Sequence, residues 1–242
     1  MKKLINSAEK HLGFTLVEMA IVLVIVGLLV AAFLTPLSAQ IEQRNYIDTE
    51  NSLQEIKEAL IGYASSHGHF PCPAVSPTNG AEDRTLTVCT GGKRVGILPW
   101  SELGVPQLDS WGHLYRYSVT LAYADSGIKI NLSPLTASDI TITTRDNAGN
   151  PQNLSNINTI PVAIMSVGKN GAWGYSNTGA QVADTSATNV DEDANGNGNG
   201  RTFVNRFPTT SAAIAGGEFD DIAVWISTNI YLNRMIAAGQ LP

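Results

Sequence analysis

A run of 21 residues from Phe14 to Leu34, apolar except for Thr15 and Glu18, is the feature that most constrains this chain. A helix rises about 1.5 Å per residue, so this run would extend roughly 30 Å, the thickness of a bilayer's hydrocarbon core. It therefore predicts a membrane-spanning helix over residues 14–35. A cleaved secretory signal with a cut near residues 37–40 is the alternative, although its apolar core would be shorter, about 7–15 residues.

Charge is distributed unevenly along the chain. Residues 1–13 hold Lys2, Lys3 and Lys10 against Glu9, whereas the 242 residues together carry a net charge of −6. Positive charge beside an apolar run stays in the cytoplasm, so we expect the rest of the chain to cross the membrane. The acidic balance indicates no nucleic-acid partner.

Glu18 places a carboxylate one turn inside the apolar run. A charge at the centre of a spanning helix costs roughly 2.5–3.5 kcal/mol on insertion scales, and such groups are usually paired. A cut between Gly13 and Phe14 would create an α-amino group four residues from Glu18. That amine could pair with Glu18 of the same chain or of a neighbouring subunit. An interfacial glutamate without a function is the alternative.

The stretch GFTLVEMAIVLVIVGLLV, which starts at Gly13, closely resembles the N-terminus of type IV prepilins and type II secretion pseudopilins. The resemblance implies that residues 1–13 are a cytoplasmic leader. A prepilin peptidase would cut between Gly13 and Phe14 and methylate Phe14, and Glu18 would register each subunit against its neighbour. It further implies other pilin or pseudopilin subunits, an inner-membrane assembly platform and the lipid bilayer as partners.

Hydrophobic periodicity predicts an α+β fold. Apolar residues at three- and four-residue steps from Leu53 to Tyr63 continue the first helix, which we expect over residues 14–66, with an amphipathic second half. A closing helix with Ser227 or Thr228 as its cap and Gly239 as its stop is predicted near the end. Alternation or continuous apolar runs predict strands within residues 114–122, 127–132, 139–144, 160–168 and 221–226.

Residues 67–242 then form one periplasmic globular domain. The resemblance implies a pilin-like arrangement, in which an antiparallel sheet packs on the amphipathic half of the long helix. Between Lys169 and Gly217 the composition turns to Gly, Asn, Asp, Ser and Thr, which predicts a long polar late loop.

Cys72 and Cys89 are the two cysteines, and both lie in the part expected to be exported. In an oxidising compartment they would pair, and a disulfide closing this loop contributes roughly 3 kcal/mol in the chain-entropy model. Neither cysteine belongs to a C-x-x-C pair, which argues against a metal or redox role.

The stretch DSWGHLY resembles the DPWGxxY segment of the major pseudopilin of type II secretion, through Asp109, Trp111, Gly112 and Tyr115. Ser110 departs from the proline of that pattern. Asp109 is suited to bond the backbone of a turn and Trp111 to cover the core, so we expect a structural role.

An acidic stretch in the late region raises the possibility of a calcium site. The spacing of DEDANG matches the first half of a D-x-D-x-N-G calcium loop, although the twelfth position is Thr202 instead of glutamate. A solvated flexible loop is the alternative. The predicted ligands are Asp191, Asp193 and Asn195, completed from the following segment by Glu218, Asp220 or Asp221.

No enzymatic function is expected, because the sequence contains no G-x-S-x-G, H-E-x-x-H or P-loop motif. The sequence predicts a structural subunit of a bacterial type II secretion pseudopilus or type IV pilus, anchored in the inner membrane. The alternative is a membrane-anchored periplasmic domain that binds calcium or carbohydrate and never polymerises.

Overall fold

This computed structural model describes residues 14–128, 130–132 and 135–241, without the side chains of residues 32–37. Helix α1 (Leu16–His67) is close to the predicted helix over residues 14–66. It ends where Gly68, in the left-handed region at φ 82°, donates its N–H to the carbonyl of Ala64 at 2.8 Å. Glycine adopts this conformation without strain, so it is suited to a helix C-terminus.

The chain divides into two units, Met1–Arg44 and Asn45–Pro242, and α1 contributes to both. In the first unit, the large apolar side chains that the structure describes, from Phe14 to Val30, are exposed. Among the described residues, no helix is both long enough and apolar enough to cross a membrane.

The second unit contains eleven short strands and four further α-helices among the described residues. The strands are β1 (Ala74–Ser76), β2 (Asn79–Glu82), β3 (Arg84–Thr85), β4 (Val88–Cys89), β5 (Val95–Ile97), β6 (Arg116–Val119), β7 (Thr141–Arg145), β8 (Pro151–Asn153), β9 (Val162–Ser166), β10 (Thr202–Val204) and β11 (Ile222–Ile226). The helices are α2 (Trp100–Leu103), α3 (Leu121–Ala124), α4 (Val190–Gly196) and α5 (Thr228–Ala237).

The main sheet has four antiparallel strands in the order β11-β9-β6-β5. Neighbouring residues of a strand point to opposite faces, so the sheet carries two cores. On one face Tyr117, Ile164 and Val224 pack with Leu53, Ile56 and Leu60 of α1. The α+β class and the sheet on the amphipathic half of the helix are therefore confirmed.

The other face of the main sheet carries a second core. Ala163, Met165 and Ala223 pack there with Ile142 of β7 and Phe203 of β10. These strands belong to a three-stranded sheet in the order β10-β7-β8, in which β10 and β7 run parallel. Neither this second layer nor the parallel pair is predicted by the sequence.

Two further predictions about local structure are wrong. The described residues of segment 127–132 do not form the predicted strand. The segment just before it, Leu121–Ala124, forms a helical turn. The late polar region is also not a continuous loop, because it contains α4 and β10. Phe203 and Val204 are buried, and this burial explains why a strand forms in a polar segment.

Candidate functional site

The start of α1 is closed by a reciprocal pair of side chains. The backbone N–H and the hydroxyl of Thr15 both donate to Oε2 of Glu18, at 2.8 and 2.9 Å. The N–H of Glu18 donates in return to Oγ1 of Thr15 at 3.2 Å. This arrangement is a capping box, which satisfies backbone donors that a helix start otherwise leaves unpaired.

The pattern T-x-x-E that encodes this box is visible in the sequence, but Glu18 was interpreted there as an assembly residue, with an interfacial glutamate without a function as the alternative. The box gives the carboxylate a local partner, and the positive end of the helix dipole also favours it. Oε1 of Glu18 makes no hydrogen bond with a described residue, so it remains available to an amine. Gly13 lies outside the described residues, and Phe14 is 83% exposed.

A disulfide joins Cys72 and Cys89, as predicted, and both residues are buried. The loop it closes is held by Glu82, which accepts from the N–H of Cys72 at 2.9 Å and from Nε of Arg84 at 3.0 Å. Arg84 in turn donates to the carbonyl of Phe70 at 3.2 Å. The disulfide loop is therefore bonded to the segment that follows α1.

The turn at Asp109 has the structural role expected of it. Oδ1 of Asp109 accepts from the N–H groups of Trp111 and His113, at 3.0 and 2.9 Å. Oδ2 accepts from the buried hydroxyl of Ser166 at 2.6 Å, while Nδ1 of His113 lies 3.0 Å from the carbonyl of Gly168. Ser166 thus donates to the carboxylate and not to the imidazole, unlike an activated nucleophile.

Three of the predicted calcium ligands lie on α4 instead of in a loop. Residues two positions apart on a helix point in different directions, so alternate oxygens do not converge there. Asp191 pairs with Arg145 and Arg206, each at 2.7 Å, and Asp193 accepts from Nε1 of Trp173 at 2.8 Å.

The remaining predicted ligands divide into two groups. Glu218 accepts from the hydroxyl of Thr188 at 2.6 Å, within an exposed part of the chain. Asn195 contacts Asp221, because its amide donates to Oδ2 of that carboxylate at 2.8 Å. The structure therefore keeps Asn195, Asp220 and Asp221 in one region and places Glu218 on other partners.

A carboxylate cluster forms from Glu192, Asp220 and Asp221, with one oxygen of each residue within 4.8 Å of the others. Glu192 was not among the predicted ligands. It lies three residues before Asn195, so helical periodicity places both on the face of α4 turned to the start of β11. The D-x-D-x-N-G pattern of a calcium loop takes its ligands from alternate positions, so that interpretation passed over Glu192.

The cluster is strongly desolvated. Burial raises the pKa of Asp220 to about 7 despite the opposing hydrogen bond from the N–H of Asn170, and burial together with the charge of Glu192 raises the pKa of Asp221 well above its ordinary value. Oδ1 of Asp220 is buried without a hydrogen bond to any described residue, and the charge of Arg116 only partly offsets that of Asp221. The donor set fits a hard cation, since calcium binds carboxylate oxygens and an unpartnered buried oxygen is costly.

Comparisons with known proteins bear on the N-terminal site. No curated protein and no solved structure matches the chain significantly. A family model does match the segment around Glu18, and its motif is that of a structural subunit instead of an enzyme family. The motif implies processing by a prepilin peptidase and assembly with other pilin subunits. The match covers residues 10–34 and is the prokaryotic N-terminal methylation motif, the prepilin-cleavage signature of type IV pilins and pseudopilins.

Proposed function

We propose that the chain is a structural subunit of a bacterial type II secretion pseudopilus or type IV pilus. The observation that carries the proposal is the position of Glu18. It lies at the capped start of α1, four residues after the junction of Gly13 and Phe14 within the matched motif. Cleavage at this junction would leave an amine near the carboxylate of Glu18, whose Oε1 makes no hydrogen bond with a described residue.

The apolar part of α1 supports an anchored subunit. The predicted span over residues 14–35 has the length that a bilayer requires, and its charge asymmetry favours a cytoplasmic N-terminus and a periplasmic domain. The described side chains of this part are exposed, which leaves them for lipid or for neighbouring helices. An inner-membrane assembly platform would transfer the subunit from the lipid bilayer to the neighbouring helices of a filament.

In-cell photo-crosslinking tests assembly. A photoreactive residue at Val24, exposed on α1, is expected to give a ladder of oligomers in the native bacterium. The ladder should disappear in a strain without prepilin peptidase, because the uncleaved chain lacks the α-amino group at Phe14. A non-polymerising anchored domain would give monomers in both strains, and that result would refute the proposal.

The carboxylate cluster favours calcium binding as a second function. We infer that Glu192, Asp220 and Asp221 would hold the ion, which would balance the negative charge of three converging carboxylates that Arg116 offsets only in part. Oδ1 of Asp220 supports this assignment, because it is buried and makes no hydrogen bond within the described part of the chain. Calcium would then hold α4 against the start of β11 and order the late region.

A further inference from the structure

A pocket of about 390 Å³ lies where β11 leads into α5, and two loops complete its walls. Its lining includes Trp225, Asn229 and, on the loop after β8, Asn156. We propose that this pocket binds a neutral carbohydrate chain. The volume lies in the range of small-ligand sites, about 300–1,000 Å³.

Trp225 lies on the face of the main sheet opposite the core that contains α1. Val224 and Ile226 point to the core that contains α1, so the side chain of Trp225, between them, lies on the opposite face of the sheet. There it packs against the second core and is partly exposed. Contacts that α1 makes in the second unit therefore leave the pocket open to a soluble ligand.

The chemistry of the lining suits a sugar. Among the described residues that line the pocket none carries a charge, and Leu135 and Leu154 supply apolar surface beside Trp225. A sugar ring offers C–H faces for packing on an aromatic ring and hydroxyls that both donate and accept. The side-chain amides of Asn156 and Asn229 can likewise both donate and accept hydrogen bonds. An anionic ligand would instead need arginine or lysine in the lining.

The pocket walls are fixed by hydrogen bonds that do not use these amides. The hydroxyl of Thr228 donates to the carbonyl of Thr159 at 2.6 Å and lies 3.1 Å from the hydroxyl of Ser138. These bonds join the start of α5 to both loops. The side chains of Asn156 and Asn229 make no hydrogen bond with a described residue, so a ligand meets preformed walls and free polar groups.

Calorimetry with neutral oligosaccharides tests the proposal. The full chain is purified in a detergent without a sugar headgroup and titrated with cellohexaose, maltohexaose and hexa-N-acetylchitohexaose. At least one of these probes is expected to bind. Trp225→Ala and Asn229→Ala should each weaken binding about tenfold, since each removes a packing or hydrogen-bonding partner. Trp225→Phe should restore most of the affinity.

Phe207→Ala is the matched control, because Phe207 is an aromatic residue that is 93% exposed in a different part of the molecule. It should leave binding unchanged. Asn229→Ala keeps the test valid if Trp225→Ala does not fold, because Asn229 is exposed. The proposal is overturned if no probe binds at concentrations up to about 1 mM. It is equally overturned if binding is insensitive to both pocket variants, or if the pocket takes peptides and no sugar.

Discussion

Glu18 combines a structural role at the start of α1 with the proposed role in assembly. Its carboxylate caps α1 through Thr15, and its charge is the proposed partner of the cleaved N-terminus. The first role needs an oxygen acceptor, whereas the second needs a negative charge. Substitution with glutamine separates them, because glutamine also serves at the third position of a capping box.

We expect Glu18→Gln to keep the capped helix and to lose most of its entry into filaments, since the charge is absent. Thr15→Ala should show the reverse: it costs about 1 kcal/mol of helix stability but leaves the charge. The measurement is the ratio of assembled to membrane-extracted protein for each variant. Equal entry of Glu18→Gln and the unmodified chain would show that the carboxylate acts only as a cap.

At the carboxylate cluster, we expect calcium to raise the melting temperature of the full chain. Binding to the folded state alone adds about 2.7 kcal/mol at a hundredfold excess over Kd. Magnesium should do less, because it prefers a small octahedral site. Asp220→Asn should abolish the effect, whereas Glu218→Gln, at a carboxylate that the structure places elsewhere, should retain it. Identical melting with calcium, magnesium and chelator would exclude the site.

At the scale of elements, short pieces are stabilised by links between distant parts of the sequence. Strands β3 and β4 have two residues each, too few for a hairpin that is stable by itself. The disulfide closes the loop that contains them, and Arg84 bonds it to Phe70. Leu86 and Val88 in this hairpin are exposed, so these links connect it to the core at the buried Cys72 and Cys89.

Replacing both Cys72 and Cys89 by serine is expected to lower the free energy of unfolding by roughly 3 kcal/mol, because the unfolded chain regains the freedom of the loop. Denaturant titration of the full chain under non-reducing conditions measures this loss. Addition of a reducing agent should lower the free energy of unfolding of the unmodified chain and leave that of the double variant unchanged. A variant as stable as the original would show that Glu82 and Arg84 hold the loop without the disulfide.

At the scale of the whole molecule, the proposed assembly requires processing of the first unit. The matched motif covers residues 10–34, which include the junction between Gly13 and Phe14. Removal of the leader also removes three lysines that favour a cytoplasmic position. Under this proposal, the processed chain would be held less strongly by charge in the expected membrane orientation.

We expect the mature protein extracted from membranes to begin with methylated Phe14. Intact-mass measurement should show the loss of residues 1–13 and the gain of one methyl group. In a strain without the peptidase, the mass should correspond to the uncleaved chain. Retention of Met1 in the normal strain, or a start near Gln40, would contradict the assignment of this cleavage site.

Elements with strong local signals could be predicted from the sequence. The helix α1, the buried strands β9 and β11, and α5 with its Ser227 cap all lie where periodicity or capping residues indicate them. The periodicity of apolar residues shows which face of a helix or strand is buried, and each of these segments buries one regular face. Segment 127–132 alternates as well, but its described residues do not pair as a strand.

The sequence by itself determined the N-terminal motif, because Thr15, Glu18 and the apolar run are adjacent in the chain and meet at the start of one helix. Only the tertiary structure decided which carboxylates meet. Glu192 and Asp220 are 28 residues apart, yet the N–H of Asp220 donates to Oε1 of Glu192 at 2.8 Å. The second core also joins β7 to β10 across a long polar segment. Such contacts arise from the packing of distant segments, and spacing along the chain contains no record of them.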